Sequence, residues 1–279
     1  MKYAIKFLHH VHRDPLEVKI PTGTAERYRL REALESAVRA DADLSGADLE
    51  EAYLACAHLD GAHLSGAYLV DANLMGADLE GADLVDARLG GAYLAGAYLA
   101  RANFSGASLD GAGLANADLV GANLARASLG GAYLVGANLS RACLEDANLA
   151  GADLTRANLV GANLRGANLD GANLRGADLR PIKADLFDLL LRARAEIPAL
   201  LAALRAGQID GSTYTGPCAC LVGTIARERG VHHDSLGVAD RARPIERWVL
   251  GISAGDTPET HQIAKITASW IEEFVALIA

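Results

Sequence analysis

Aromatic residues are scarce in this chain of 279 residues: four Phe, two Trp and eight Tyr make up 5% of it, although 51% of its residues are apolar. A conventional globular core uses aromatic rings to fill irregular space. This one is therefore expected to repeat one or two aliphatic side chains many times. Cysteine is also scarce, four in all, which excludes a disulfide framework and makes a reducing, cytoplasmic setting the expectation. No run approaches the roughly 18 consecutive apolar residues of a membrane span. At the start, Lys6 with His9, His10 and His12 interrupts any stretch of signal-peptide length. No membrane association is expected. A formal charge of −9 and a pI of about 5.4 argue against a broad nucleic-acid surface. At roughly 150 residues per domain the length allows about two domains, and 22% charged residues is ordinary usage for a folded chain.

What is present is a five-residue clock. From Ala42 to Ala177 an alanine stands at every fifth position, 28 in succession, and two residues after each comes a leucine, Leu44 to Leu179, with Phe104 the single exception. Typical units read GADLE, GAYLA, GANLR and RANLV. In an α-helix, at about 100° per residue, five residues advance roughly 500°, so the leucines would spiral around the axis. A straight strand would flip each leucine to the opposite face. Within one unit, however, Ala and Leu share a face if the chain is locally extended, and the residue between them points outward. The chain must turn once per unit. Glycine fills the second position after the leucine in 17 of the 28 units, where a corner needs unusual dihedrals. Stacked coils of this kind make a solenoid.

This A-(D/N/Y)-L-x-x pattern over residues 41–180 resembles the pentapeptide-repeat family. The resemblance implies a mainly β fold, a right-handed quadrilateral β-helix with four units per coil. That gives about seven coils and a length of roughly 34 Å at about 4.8 Å per coil. Tyr53, Tyr93 and Tyr133, 40 residues apart, then share one face. Ala and Leu are read as core and Gly as corner. Asn148, Asn158, Asn163, Asn168 and Asn173 are placed to form ladders between coils.

Solenoid ends need caps. Residues 1–40 suit an N-terminal strand-plus-helix cap: Tyr3, Ile5 and Phe7 alternate, Val18 to Ile20 can pair with them, and Glu26 to Arg39 reads as a helix lined by Leu30, Leu34 and Val38. Residues 181–279 are expected to form a small α-rich C-terminal domain. Leu186, Leu190, Ala193, Ile197, Leu200 and Leu204 make a helical stripe that Pro198 should kink or split. A short helix opens at Pro217, Arg247 to Ile252 reads as a strand, and Thr257-Pro258-Glu259 starts a last helix that carries Ile263, Ile266, Trp270, Phe274 and Leu277. That last stripe either packs on its own domain or pairs two copies into a homodimer.

Function is sought on outward positions and in the flanks. Residues 41–100 hold eleven acids against Arg88, a net charge of −10, while residues 101–180 balance seven acids with seven arginines; no lysine occurs in 41–180. Duplex DNA carries about one charge per 1.7 Å, so three coils of about 14 Å match roughly 8 phosphates. The gyrase-binding quinolone-resistance members of the resembled family are understood as DNA mimics, which makes DNA gyrase an implied candidate partner. Acids on several faces, among them Asp43, Asp48, Asp78 and Asp83, equally serve solubility. Tyr53, Tyr68, Tyr93, Tyr98 and Tyr133 on a rigid framework read as recognition anchors or as stacking between coils. Cys218, in the first turn of its expected helix, is a candidate reactive thiol. With Cys220, His232 and His233 it makes only a weak zinc pattern. His9, His10 and His12 read as a solvent-exposed turn. The chain is accordingly read as a non-catalytic scaffold that engages another protein, with no catalytic residue, cofactor, metal or nucleic-acid site. A topoisomerase-directed DNA mimic and a cysteine-dependent enzyme stand as alternatives.

Overall fold

The structure, a computed structural model, describes residues 1–6, 14–211, 220–236, 244–249, 251–252 and 254–278. Its contacts divide the chain into two units, residues 1–162 with 172–178, and residues 163–171 with 179–279.

The first unit opens with β1 (Lys2–Ile5), antiparallel to β2 (Leu16–Lys19), with Tyr3 opposite Val18. A single 3-10 turn, Glu26–Tyr28, leads into α1 (Arg29–Arg39). Leu34 is fully buried. His58 donates its backbone N–H to the Glu35 carboxylate, and Asp48 donates its own to the Lys6 carbonyl, so both cap elements are bonded to the first coil.

The repeats then coil with a period of 20 residues. Parallel bridges join Asp43 to His63, Tyr53 to Asn73, Tyr93 to Gly113 and so on to Asn158 with Asp178, so four units make one turn. Within a unit the amide N–H groups are satisfied by a repeating scheme. Using the unit of Asp83, the Ala82 N–H donates to the Leu79 carbonyl, Asp83 to Ala62 of the coil below, and Leu84 and Asp86 to Asn103 and Ser105 of the coil above. The fifth, on Val85, donates to the Asp83 side chain. Alanines and leucines point inward, and Leu54 to Leu159 are at most 1% exposed.

The residue before each alanine, from Asp41 to Gly176, has φ between 54° and 72° at all 28 corners, eleven of which are not glycine. Of the asparagines expected to form ladders, Asn158 donates to Asn138 at 3.1 Å and Asn173 to Asp153 at 3.2 Å, and Asn123, outside that set, donates to Asn103 at 2.9 Å.

The second unit contains α2 (Arg180–Arg192), α3 (Ile197–Arg205), α4 (Leu221–Arg229), α5 (Pro244–Val249) and α6 (Gln262–Ile278). The stripe from Leu186 to Leu204 is buried throughout but is split by a 3-10 turn at Arg194–Glu196, with Pro198 in the first turn of α3. Two expectations need correcting. The strand expected at Arg247 to Ile252 gives way over Arg247 to Val249 to α5, where Ile245, Trp248 and Val249, at helical spacing, are buried together, and the Asp185 carboxylate accepts the Ile245 N–H at the opening of the helix. Helix α6 begins at Gln262 rather than at Thr257. The helix expected to open at Pro217 falls partly outside the described residues; in α4 the buried Cys220 caps the first turn, its Sγ accepting the Gly223 N–H at 3.4 Å. In α6, Ile263, Trp270 and Phe274 pack inward, Trp248 stacks on Trp270 at 5.5 Å, and Leu277 stays 69% exposed.

Arg229 clamps Glu196 with two bonds of 2.8 and 3.1 Å and donates a third to the Arg192 carbonyl. The guanidinium bonds hold the Glu196 carboxyl below its ordinary range. A lowered folded value contributes stability that is complete above the unfolded value of about 4.3 and is lost as pH falls through the folded value. Glu196→Gln should therefore cost about 1 kcal/mol at neutral pH, after allowing for the exposed arginine. The gap between the melting temperatures of the two proteins should narrow steadily as pH falls below about 4; a gap that stays constant on acidification would contradict the assignment.

Candidate interaction surface

The 20-residue period sorts the outward middle residues into four faces. One carries Tyr53, Asn73, Tyr93, Gly113, Tyr133, Asp153 and Asn173. The next along the chain carries His58, Asp78, Tyr98, Asp118, Asn138, Asn158 and Asp178. Asp43 and Asp83 share a third face, and Asp48 lies on the fourth with Tyr68 and Arg88. The candidate acids are thus spread over three faces, and the tyrosines fall chiefly on two adjoining ones.

The structure gives several of these acids a local task. Asp43, Asp78 and Asp83 each accept the N–H two residues on, from Ser45, Glu80 and Val85, at 2.9 to 3.2 Å. Asp83 also accepts the Ser65 hydroxyl at 2.8 Å. Asp153 does the same with Thr155, whose hydroxyl and N–H, with help from Asn173, pull its carboxyl below the usual range. An Asp or Asn at the middle position thus satisfies the fifth amide of its unit, an Asx-type bond whose sequence signal, Asx three residues before a corner residue, was present in many units of the repeat.

Tyrosine carries its one side-chain acceptor at the far end of the ring, out of reach of that amide. Tyr53, Tyr93, Tyr98 and Tyr133 are 45%, 55%, 59% and 59% exposed. Tyr53 lies 6.0 Å from Tyr28, and Tyr68 sits under the Arg88 guanidinium at 4.7 Å. Tyr93, Tyr98 and Tyr133 thus stand out as open rings on a hydrogen-bonded framework. Gly113, which the sequence reading passed over, lies between two of them; it is the only glycine among the 28 middle positions.

Cys218, and His9, His10 and His12, lie outside the described residues, and Cys220 is fully buried. The rings of His232 and His233 lie 4.2 Å apart, and among the described residues no group of three His, Cys, Asp or Glu could hold a metal ion. A groove of about 330 Å³ runs past Thr155, Arg156 and Arg175 in the first unit. A cavity of about 190 Å³ in the second is lined by Asp170, His261 and Lys265, with His261 Nε2 3.7 Å from Asp170. Among the described residues no helix is long and apolar enough to cross a membrane.

The repeat sequence matches known proteins. The family profile described as pentapeptide repeats matches in eight copies, over residues 42–81, 81–119, 112–149 and 142–180. Among solved structures the chain is similar to HetL, a pentapeptide repeat protein involved in heterocyst differentiation regulation from the cyanobacterium Nostoc sp. The two are 35% identical over 50% of this chain and 81% of that one, with a TM-score of 0.26. A pentapeptide repeat protein from the Arabidopsis thaliana thylakoid lumen is 34% identical over 42% of this chain and 74% of its own, with a TM-score of 0.29. Trypsin-treated QnrB1, a plasmid-mediated fluoroquinolone resistance protein, is 24% identical over 40% and 60%, with a TM-score of 0.34. No curated protein matches the chain. Through residues 42–180 the chain belongs to the pentapeptide-repeat family, whose members fold as right-handed quadrilateral β-helices.

Proposed function

We propose that the protein is a non-catalytic scaffold whose repeats present a recognition surface to another protein, with Tyr93, Tyr98 and Tyr133 as anchors and the acids of residues 41–100 selecting a basic partner. The observation that carries this reading is the exchange made at the tyrosine units. Each gives up an acceptor that Asp or Asn supplies elsewhere, worth about 0.5–1.5 kcal/mol, and leaves a ring more than half exposed. Large amphipathic rings on a rigid support are what interface anchors require. The acidic coils add steering toward positive charge.

The test is affinity capture on the full chain and on a variant with Tyr93, Tyr98 and Tyr133 all changed to Ala. A partner retained by the wild type should be lost with the triple variant and should elute as salt rises, while the melting temperature stays within a few degrees. Equal retention by both proteins would overturn the reading. The excess of eleven acids over one arginine in residues 41–100 also favours a second reading, a DNA mimic directed at a type II topoisomerase. Salt-sensitive binding to purified gyrase is its expected result, and absence of binding at low salt would dismiss it.

A further inference from the structure

We propose that Tyr93, Gly113 and Tyr133 form a slot for a cationic side chain, a lysine or arginine, presented by the protein partner. The proposal rests on the reading of the repeats as an interaction surface and specifies its chemistry. Bridges place Tyr93, Gly113 and Tyr133 on three consecutive rungs of one face. Nothing in the backbone demands glycine at the middle rung. Gly113 is not among the glycines with positive φ, and a Cβ built on it meets only the Ala92 carbonyl at 3.9 Å, an ordinary contact. Gly113 keeps the ladder bonds of its neighbours, donating to Ala92 and accepting from Leu94. The effect of having no side chain there is a gap between two exposed rings.

The dimensions suit a cation. Rungs about 4.8 Å apart set the two tyrosine backbones about 9.6 Å apart, so a charge held midway between rings that face each other would lie about 4.8 Å from each, inside the roughly 6 Å reach of a cation–π contact. The columns on either side, Gly91, Gly111 and Gly131, and Ala95, Ala115 and Val135, are short and leave the entrance open. Charge is complementary as well. The coil of Gly113 carries Asp110 and Asp118, and its one arginine, Arg101, is paired with Glu80.

The experiment uses tetramethylammonium chloride as the cationic probe and tert-butanol as its neutral isostere, with the tyrosine ring signals of the full chain followed by NMR. Tetramethylammonium should shift the Tyr93 and Tyr133 signals saturably, with Tyr98 unmoved and tert-butanol producing less than a fifth of the effect. Gly113→Asn, which places on this rung the residue found at Asn103 and Asn123, should fold normally and weaken the response at least tenfold. Tyr133→Leu should do likewise at Tyr93. An equal response to tert-butanol, an equal shift at Tyr98, or an unchanged response in Gly113→Asn would each overturn the slot. Loss of the slot while the triple tyrosine variant still loses its partner leaves the scaffold reading standing. A responsive slot with partner retention unaltered in that variant removes the scaffold reading instead.

Discussion

Replacing Phe104 with alanine should cost about 3–5 kcal/mol of unfolding free energy, the range for truncating a fully buried aromatic side chain. Phe104 is the only interruption in 28 leucine positions and is 0% exposed. The period of 20 places it in a column with Leu84 and Leu124, both at most 1% exposed. The inward positions of its own coil, from Ala107 to Leu119, are all alanine or leucine and are likewise sealed. No polar group is available to fill the hole, and a cavity lined by such residues stays dry. Phe104→Leu restores the repeat's own residue and should cost only about 1 kcal/mol. Because each coil touches only its neighbours, the damage should be local. Hydrogen exchange should speed up first at the amides of Phe104 and Leu84, which donate to Asn123 and Asn103, before it does so at Leu54 or Leu149. A Phe104→Ala protein as stable as the wild type, or one loosened uniformly, would contradict this account of the core.

The repeat made the core and the corners legible, because only one backbone path keeps an alanine and the leucine two residues later inside at every fifth step. It marked the corners less completely. Glycine flags 17 of them, yet Arg101, Arg126, Arg141 and Arg156 hold φ of 59° to 60° as well. Such a conformation costs a side-chain-bearing residue about 1–2 kcal/mol. It is imposed by stacking, as where the Arg101 N–H donates to the Val120 carbonyl 19 residues ahead. A side chain at a corner also leans over the corner of the next coil. The Asp71 carboxylate lies where a Cβ on Gly91 would be, and Asp86 does the same above Gly106. A Cβ there would make the carboxylate swing aside, a small cost beside the dihedral freedom that glycine supplies.

The surface was harder to read. Asp43, Asp78 and Asp83 look like free charge in the sequence, and their bonds to the amide just before each corner emerge only once the corner is built. The tyrosines were visible by their spacing, but the meaning of Gly113 depended on knowing which rungs are neighbours. Outside the repeat, period gave way to tertiary context. Trp248, Val249 and Ile252 carry strand propensity, yet burial of Ile245 with Trp248 and Val249 selects a helix.

Gly207→Ala should destabilise the helical unit by about 3 kcal/mol or more, the sum of a left-handed backbone and a backbone collision. Gly207, at φ 64°, follows the end of α3. Its N–H donates to the Leu204 carbonyl and that of Gln208 to the Ala203 carbonyl, the paired bonds of a Schellman ending. A Cβ there would stand 2.8 to 2.9 Å from three backbone atoms of Gly255, closer than carbon atoms approach without something moving. Since Gly255 donates its N–H to the Gly207 carbonyl at 2.8 Å, any relief must lengthen that bond. Gly230, which ends α4 at φ 66° with the same pair of bonds and nothing within 4 Å of its added Cβ, supplies the control. Gly230→Ala should cost only about 1 kcal/mol, the left-handed penalty reduced by a less flexible unfolded chain. The difference between the two variants, read by chemical denaturation of the full chain, isolates the close approach of residues 207 and 255. Equal losses at both sites would mean that the approach adds nothing beyond the helix ending.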